Sequence, residues 1–294
     1  MILKQFREHF NKSLEHLYPI TEIDTFFFLI LEEYSGLKRI DIVLKSDFYI
    51  NQKSLNFMQI ATKQLVQEIP IQYITGKTEF FGLPFNVNKE VLIPRPETEE
   101  LVERVLKEIS LMKTCNTTKN ETINKKQLKI LDIGTGSGCI AISLKKQLPN
   151  LEISAMDVSN KALCVAKKNA RLNNADINFI HQDILKTNEL DKLYDIIVSN
   201  PPYVRDLEKK EIKNNVLNNE PHLALFVDNK NPLLFYDKIA ELAKKYLIKN
   251  GQLHFEINQY LGKETIKLLV EKGFKNIQLK KDIFENDRII TAFK

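Results

Sequence analysis

The sequence predicts an α/β protein in which a mostly parallel sheet with a terminal antiparallel strand pair follows a small helical domain. From residue 128 onward, strand signals alternate with helix signals, and such alternation gives a parallel sheet with helices on both faces. The earlier residues carry apolar side chains at helical spacing, such as Phe6, Phe10 and Leu14. We therefore predict a helical domain over 1–75, a hairpin linker over 76–95 and an α/β domain over 96–294.

The individual elements follow from local signals. The segment 78–93 turns around Gly82, which favours a hairpin, and Pro96 is typical of a helix start. We expect the polar segment 113–127 to be a mobile connection. The last two strands are joined by too few residues for a crossover helix, so we predict that they pair antiparallel. Strands are predicted near 128–134, 151–157, 177–183, 194–200, 251–257, 276–283 and 287–294, and helices near 138–148, 159–173, 232–248 and 259–272.

Composition limits the classes of function. The chain has 294 residues and is 43% hydrophobic, which is enough for a large core in one or two domains. Its longest apolar stretch, 26–31, is much shorter than a bilayer span, and its first residues lack a signal peptide core. Three cysteines, Cys115, Cys139 and Cys164, form no CxxC pair, and no His/Cys cluster has metal-ligand spacing. We expect a cytoplasmic monomer with no membrane segment and no metal.

The net charge of +5 is not concentrated where a nucleic-acid site would need it. Residues 1–78 hold nine Lys or Arg and nine Asp or Glu, so the predicted helical domain is close to neutral. The basic excess lies downstream, spread among lysines that a solvated surface carries. We therefore expect no direct nucleic-acid partner.

The tetrapeptide Asn200-Pro201-Pro202-Tyr203 directly follows the apolar run 194–199. This run predicts a buried strand, so the tetrapeptide should lie at the carboxyl end of a parallel sheet, where α/β folds bind ligands. The prolines stiffen the corner, and the Asn200 oxygen and a proline carbonyl can then accept the hydrogens of a planar NH2 group. Taken alone, the tetrapeptide is better explained as an ordinary turn.

A glycine-rich loop upstream changes that interpretation. The segment 130–140 is predicted to run strand, loop and helix, with Gly134, Gly136 and Gly138 in a G-x-G-x-G pattern. Glycines allow a tight turn close to a ligand, and the following helix N-terminus offers free N–H groups. A dinucleotide fingerprint would have glycine in place of Cys139, and a Walker loop would need Gly-Lys-Ser/Thr, so neither pattern is met.

Residues 132–138 and 200–203 together resemble the class I S-adenosylmethionine-dependent methyltransferases that act on a planar nitrogen. The stretches 79–85 and 91–99 narrow the resemblance to the peptide chain release factor glutamine methyltransferases, the PrmC or HemK family. It implies the class I methyltransferase (Rossmann-like) fold, S-adenosylmethionine as cofactor, class 1 release factors as protein substrates and substrate recognition by the helical domain. It also implies that the glutamine of the substrate's Gly-Gly-Gln loop is bound by Asn200, Pro201, Pro202 and Tyr203.

Three acids near the ends of predicted strands are candidates for binding the cofactor. Asp157 ends a predicted strand and either accepts both ribose hydroxyls or caps the next helix. Asp183 either accepts from the adenine amine, with Ile184 against the ring, or is a turn residue. Asp132 braces the glycine loop or reaches the methionine amino group. The predicted cofactor-binding residues are Asp132, Gly134, Thr135, Gly136, Ser137, Gly138, Asp157, Asp183, Ile184 and Asn200.

For catalysis, we predict that the Asn200 oxygen and the Pro201 carbonyl accept the two substrate amide hydrogens, which raises electron density on the nitrogen. Tyr203 would pack against the amide plane. A stretch just upstream has no single assignment, because its residues either line the active site or fasten the domain junction through an ion pair and a helix cap. These residues are Arg95, Glu97 and Thr98.

Two alternatives to this function remain. An adenine-N6 DNA or RNA methyltransferase would present an exocyclic amine to the same two acceptors, but it must also grip a strand, and the neutral helical domain argues against that. A non-enzymatic adaptor would keep the fold without the chemistry, and the intact glycine loop and tetrapeptide argue against it. The sequence departs from the family at Asn258, where a glycine is expected.

Overall fold

The computed structural model describes residues 1–44, 48–117 and 127–294. These residues divide into two compact units, the first made of Met1–Lys77 and Lys213–Asn219, the second of Thr78–Ile212 and Glu220–Lys294. Most of the predicted connection 113–127 lies outside the described residues, and its first part continues a helix as far as Thr117.

The helices and strands of the described residues occur in the following order. They are α1 (Leu3–Leu14), α2 (Ile20–Ser35), α3 (Arg39–Leu44), α4 (Gln52–Val66), α5 (Ile71–Thr75), β1 (Lys77–Phe80), β2 (Leu83–Asn86), α6 (Pro96–Thr117), β3 (Lys129–Ile133), α7 (Cys139–Gln147), β4 (Glu152–Asp157), α8 (Asn160–Leu172), β5 (Asn178–His181), β6 (Tyr194–Ser199), β7 (Val204–Arg205), α9 (Asn214–Asn219), α10 (His222–Leu225), β8 (Phe226–Val227), α11 (Leu234–Tyr246), β9 (Leu247–Glu256), α12 (Gly262–Glu271), β10 (Lys275–Lys281) and β11 (Asp287–Phe293).

The first unit is helical because the apolar residues of α1, α2 and α4 recur at helical spacing and are buried. Phe6, Phe10 and Phe27 are fully buried, and the Phe10 and Phe27 rings meet edge to face at 5.6 Å. The sequence did not indicate that α9 would join this unit. Its Asn219 Nδ2 donates to the Glu68 carbonyl at 3.2 Å, a contact between residues far apart in the chain.

The second unit is built around a seven-stranded sheet with the order β10-β11-β9-β6-β3-β4-β5. Strand β11 is antiparallel to both of its neighbours, and the other neighbouring pairs are parallel. The predicted α/β fold and the predicted antiparallel pairing of the last two strands are confirmed. Because β3, β4, β6 and β9 run in the same direction, their carboxyl ends share one edge of the sheet.

Both faces of the sheet are covered. In β6, Ile196 and Val198 belong to the cluster that includes residues of α6 and α7, whereas Ile197 faces the cluster that contains Tyr236 and Ile239 of α11. This burial on both faces explains why β6 is apolar without alternation. The strand can therefore hold the residues that follow it rigidly.

The predicted hairpin is present, and other local features differ from the expectations. The hairpin of β1 and β2 turns at Phe81 and Gly82, whose φ angles are 53° and 69°. Strand β9 begins at Leu247, four residues before its predicted start at 251. Asn250 in this added part has a φ of 64°, and the pairing with β6 shifts register there, between Tyr194 and Ile196. A bulge of this kind disturbs the alternation from which strands are recognised. The elements β7, β8, α9 and α10 were not predicted, because each is too short to show a period.

Candidate active site

A cavity of about 420 Å³ lies in the second unit and is lined by the loops at the carboxyl ends of the parallel strands. Its walls include residues 134–137 after β3, 157–159 at the end of β4, 182–185 after β5 and 199–202 at the end of β6. Most of the predicted site residues are therefore brought together by the sheet. Three of them, Asp132, Gly138 and Tyr203, are not among the lining residues.

The glycine loop is held by hydrogen bonds on both sides. The Gly134 N–H donates to the Met156 carbonyl at 2.8 Å, and the Gly136 N–H donates to Asp157 Oδ2 at 2.8 Å. Gly138, which precedes α7, has a φ of 84°, and a Cβ there would lie 3.0 Å from Ile142 Cδ1. Only glycine fits this position without strain.

Asp132 holds the glycine loop through a hydrogen bond with Thr135. Its Oδ2 accepts the hydrogen of Thr135 Oγ1 at 2.6 Å, and burial raises the pKa of this carboxyl to about 7. Its second oxygen, Oδ1, is buried without a hydrogen-bond partner among the described residues. Of the two roles expected for Asp132, the contacts display the bracing one and leave one oxygen available.

Asp157 and Asp183 lie at the ends of neighbouring strands and both line the cavity. Asp157 Oδ1 accepts from the Ser159 N–H at 2.8 Å, and the cap of α8 is Ser159 itself, whose hydroxyl oxygen accepts from the Ala162 N–H. Asp183 Oδ1 accepts from the Leu185 N–H at 3.0 Å in the turn that follows β5. Each carboxylate oxygen can accept more than one hydrogen bond, so both residues retain acceptors for a ligand, and burial raises the pKa of Asp157.

The Asn200 side chain is oriented by a threonine from α6. Asn200 Nδ2 donates to Thr98 Oγ1 at 3.1 Å, and Thr98 Oγ1 donates to Glu256 Oε2 at 2.7 Å. None of the described residues donates to Asn200 Oδ1. Because Asn200 lines the cavity with its NH2 group engaged by Thr98, the oxygen is the end of the amide that remains to accept hydrogens.

Tyr203 differs from the three residues before it. Its hydroxyl donates to Glu256 Oε1 at 2.9 Å, and Arg288 Nη1 lies 3.5 Å from the same hydroxyl. Burial raises the pKa values of both Tyr203 and Glu256. Tyr203 therefore belongs to the hydrogen-bond network of the buried Glu256. Packing of its ring against the substrate amide would require the ring to line the cavity, and Tyr203 is not among the lining residues.

Of the two alternatives expected for Arg95, Glu97 and Thr98, the contacts within the second unit show the lining of the active site. Arg95 and Thr98 line the cavity, and Arg95 Nη2 also forms an ion pair with Glu220 Oε1 at 2.6 Å. Glu220 is buried and its other oxygen accepts from the Ile93 N–H at 3.2 Å. Glu97 acts on the site through its charge, which raises the pKa of the nearby Glu256.

Comparisons with known proteins identify the family. The methyltransferase small domain family matches residues 116–224. The release factor glutamine methyltransferase of Flavobacterium psychrophilum is 56% identical over 99% of this chain and 98% of that protein. The protein of the same name from Bacteroides thetaiotaomicron is 40% identical over 99% of both chains.

This chain belongs to the release factor glutamine methyltransferase family. The resemblance drawn from the sequence is thus confirmed, and the protein is an enzyme that transfers methyl groups. Among solved structures, a methyltransferase from Pyrococcus furiosus matches with a TM-score of 0.51 and 17% identity, covering 73% of this chain and 90% of that one. That likeness agrees with the α/β methyltransferase fold.

In this member of the family, Asn258 makes contacts that the expected glycine has no side chain to make. Asn258 Nδ2 donates to the Tyr203 carbonyl and to Glu208 Oε2, each at 2.9 Å. It therefore ties the loop after β9 to the residue that ends the tetrapeptide.

Sequence reasoning missed two buried acids of this site. Glu256 ends β9 beside β6, with Phe255 paired to Ser199, so the rule that singled out strand-end acids elsewhere would have found it. Glu220 stands between a helix and a proline and carries no comparable local signal.

Neither a metal-binding cluster nor a membrane-spanning helix occurs in the described residues. No group of three or more His, Cys, Asp or Glu side chains in 1–44, 48–117 and 127–294 is placed to hold a metal ion. In the same residues, no helix is both long and apolar enough to cross a membrane.

Proposed function

We propose that this enzyme transfers a methyl group from S-adenosylmethionine to the side-chain amide nitrogen, N5, of the glutamine in the Gly-Gly-Gln loop of peptide chain release factors. Membership of the family supports this function. The observation that carries it is the orientation of Asn200, whose NH2 group is bound by Thr98 at 3.1 Å while its oxygen is left for a donor at the cavity. A planar NH2 group on the substrate is such a donor.

The residues around the cavity fit S-adenosylmethionine. The volume of about 420 Å³ is within the range of small-molecule sites. Gly134 and Gly136 bring the backbone to the cavity wall, and the unpartnered Oδ1 of Asp132 is a buried acceptor beneath the same loop. Asp157 and Asp183 offer acceptors for ribose and adenine. When bound, S-adenosylmethionine supplies a methyl group that is already activated for transfer.

The residues of this chain then have to activate the substrate amide nitrogen, which is a poor nucleophile. The substrate amide nitrogen shares its lone pair with the carbonyl, and it gains positive charge as its bond to the methyl carbon forms. Acceptors at the Asn200 oxygen and the Pro201 carbonyl stabilise that charge more in the transition state than in the ground state. One amide hydrogen leaves as a proton to solvent, so the nitrogen exchanges an N–H bond for an N–C bond. The electrons of the broken sulfur–methyl bond would remain on sulfur, with S-adenosylhomocysteine as the other product. Tyr203 supports the corner through Glu256.

We further propose that the helical first unit recognises the release factor. It carries large apolar side chains that are exposed, among them Ile20, Phe57 and Ile60. Exposed apolar side chains of this size can pack against the surface of a partner protein. The expectations of a monomer, of a cytoplasmic location and of no nucleic-acid partner stay predictions.

Transfer of labelled methyl from S-adenosylmethionine tests the function. A purified class 1 release factor, its Gly-Gly-Ala loop variant and duplex DNA are each incubated with the enzyme. We expect label in the unaltered release factor alone, with N5-methylglutamine identified by mass spectrometry of the loop peptide. Label that persists in the alanine variant would exclude the loop glutamine as acceptor, and label in DNA would favour the adenine-N6 alternative.

A further inference from the structure

A short series of hydrogen bonds runs from the candidate acceptor residue to one buried carboxylate. Asn200 Nδ2 donates to Thr98 Oγ1, and Thr98 Oγ1 donates to Glu256 Oε2. The Tyr203 hydroxyl donates to the other Glu256 oxygen at 2.9 Å. Thr98 is 2% exposed and Glu256 is 1% exposed, so water has little access to replace either partner.

The direction of these hydrogen bonds follows from the chemistry of Glu256. An ionised carboxylate only accepts hydrogen bonds, whereas a hydroxyl has one hydrogen to donate. With Glu256 ionised, Thr98 donates its single hydrogen to this carboxylate, as the 2.7 Å contact shows, and its lone pairs remain for Asn200. The group that can donate to those lone pairs is the NH2 end of the Asn200 amide, so the oxygen end is directed elsewhere.

We propose that Thr98 and Glu256 are positioning residues that select the orientation of the Asn200 amide. In the opposite orientation, the Asn200 oxygen would meet the lone pairs of Thr98, and its NH2 group would oppose the substrate NH2 group. This inference deepens the proposed function and rests on it. It gives Thr98 a defined role in methyl transfer, which is to orient the Asn200 amide.

Burial raises the pKa of Glu256, and the hydrogen bonds from Thr98 and Tyr203 oppose this rise. Arg288 lies beside the Tyr203 hydroxyl and favours the charged form of Glu256, whereas burial and the charge of Glu97 oppose it. Arg288 is itself held by Asp282 through an Nε–Oδ2 contact of 3.1 Å. The carboxylate thus has one cation and two hydroxyl donors around it, an arrangement suited to a buried charge.

Thr98→Val removes the hydroxyl and keeps the shape of the side chain. We expect kcat for methyl transfer to the release factor to fall on the order of 10- to 100-fold, because a misplaced acceptor group has effects of that size. KM for the release factor and the affinity for S-adenosylmethionine should stay within about threefold of wild type, since these bind through many other contacts. Thr98→Ser keeps the hydroxyl and should retain kcat within about fivefold.

The matched control is Thr265→Val. Thr265 is also a buried threonine of the second unit, and its hydroxyl donates to the Leu261 carbonyl at 2.8 Å. Its replacement should leave kcat unchanged. If Thr98→Val fails to bind S-adenosylmethionine, Thr98→Ala takes its place with the same expected values.

Two further measurements separate positioning from a merely structural role. In an Asn200→Ala background, Thr98→Val should lower the residual kcat no further, because the two changes act through one amide. By NMR with ¹⁵N-asparagine, hydrogen exchange of the Asn200 side-chain NH2 should be at least about tenfold faster in Thr98→Val. Wild-type kcat in Thr98→Val, or an equal loss in the Asn200→Ala background, would overturn the proposal. The proposed function would instead be refuted if the wild-type enzyme methylated no release factor. In that case the faster Asn200 exchange in Thr98→Val would still support the positioning by Thr98.

Discussion

Replacing Gly138 by alanine should destabilise the second unit and weaken the glycine loop. With a φ of 84°, alanine at this position costs about 1–2 kcal/mol of conformational free energy. The added Cβ would also lie 3.0 Å from Ile142 Cδ1 and 3.2 Å from Ala166 Cβ. Both neighbours are fully buried, and overpacking of this kind costs about 1–3 kcal/mol. The expected loss in free energy of unfolding is therefore about 2–5 kcal/mol.

Gly82→Ala provides the matched control in the same unit. Gly82 has a φ of 69°, and no atom lies within 4 Å of its added Cβ, so we expect only the conformational loss of about 1–2 kcal/mol. Urea unfolding of the two variants, followed by circular dichroism, gives the difference directly. The affinity for S-adenosylmethionine should fall only in Gly138→Ala. Equal losses of stability in the two variants would show that the contacts with Ile142 and Ala166 do not constrain the loop.

Three further outcomes are expected. Asn200→Ala should lower kcat by about 100-fold while cofactor affinity measured by calorimetry stays the same, because one oriented acceptor is lost; unchanged turnover would remove Asn200 from the mechanism. The pKa of Asp132, raised to about 7 by burial, predicts that wild type loses stability relative to Asp132→Asn as the pH rises from 4 to 7, by up to about 4 kcal/mol. Urea unfolding at several pH values checks this, and a difference independent of pH would contradict it. Asn258→Gly removes the donor to Tyr203 and Glu208 and should cost about 1 kcal/mol in urea unfolding, whereas no loss would mean that these contacts are not needed.

The parts of the site that were predictable from the sequence are those made by neighbouring residues. Gly134, Gly136 and Gly138 lie in a loop between a strand and a helix, and Asn200 follows the last residue of a strand, so the local pattern specifies both. The sheet then brings the two together, because β3 and β6 are adjacent and parallel.

The contacts that orient Asn200 were not predictable in the same way. Thr98 lies 102 positions from Asn200 and 158 from Glu256, and Arg95 lies 125 positions from Glu220. No period or spacing records such pairs, because they depend on where α6 meets the sheet. Tyr203 is the clearest case. Its aromatic ring predicted packing against the substrate, whereas in the structure its hydroxyl donates to Glu256, which lies on a different strand.

The position of β11 constrains when this enzyme can become competent during its synthesis. β11 follows β10 in the chain but lies between β9 and β10 in the sheet, so β9 has no partner on that side until residues 287–293 have emerged from the ribosome. Arg288, the cation that favours the charged form of Glu256, arrives on the same strand. Until that strand is in place, the carboxylate that directs Thr98 lacks its counter-charge.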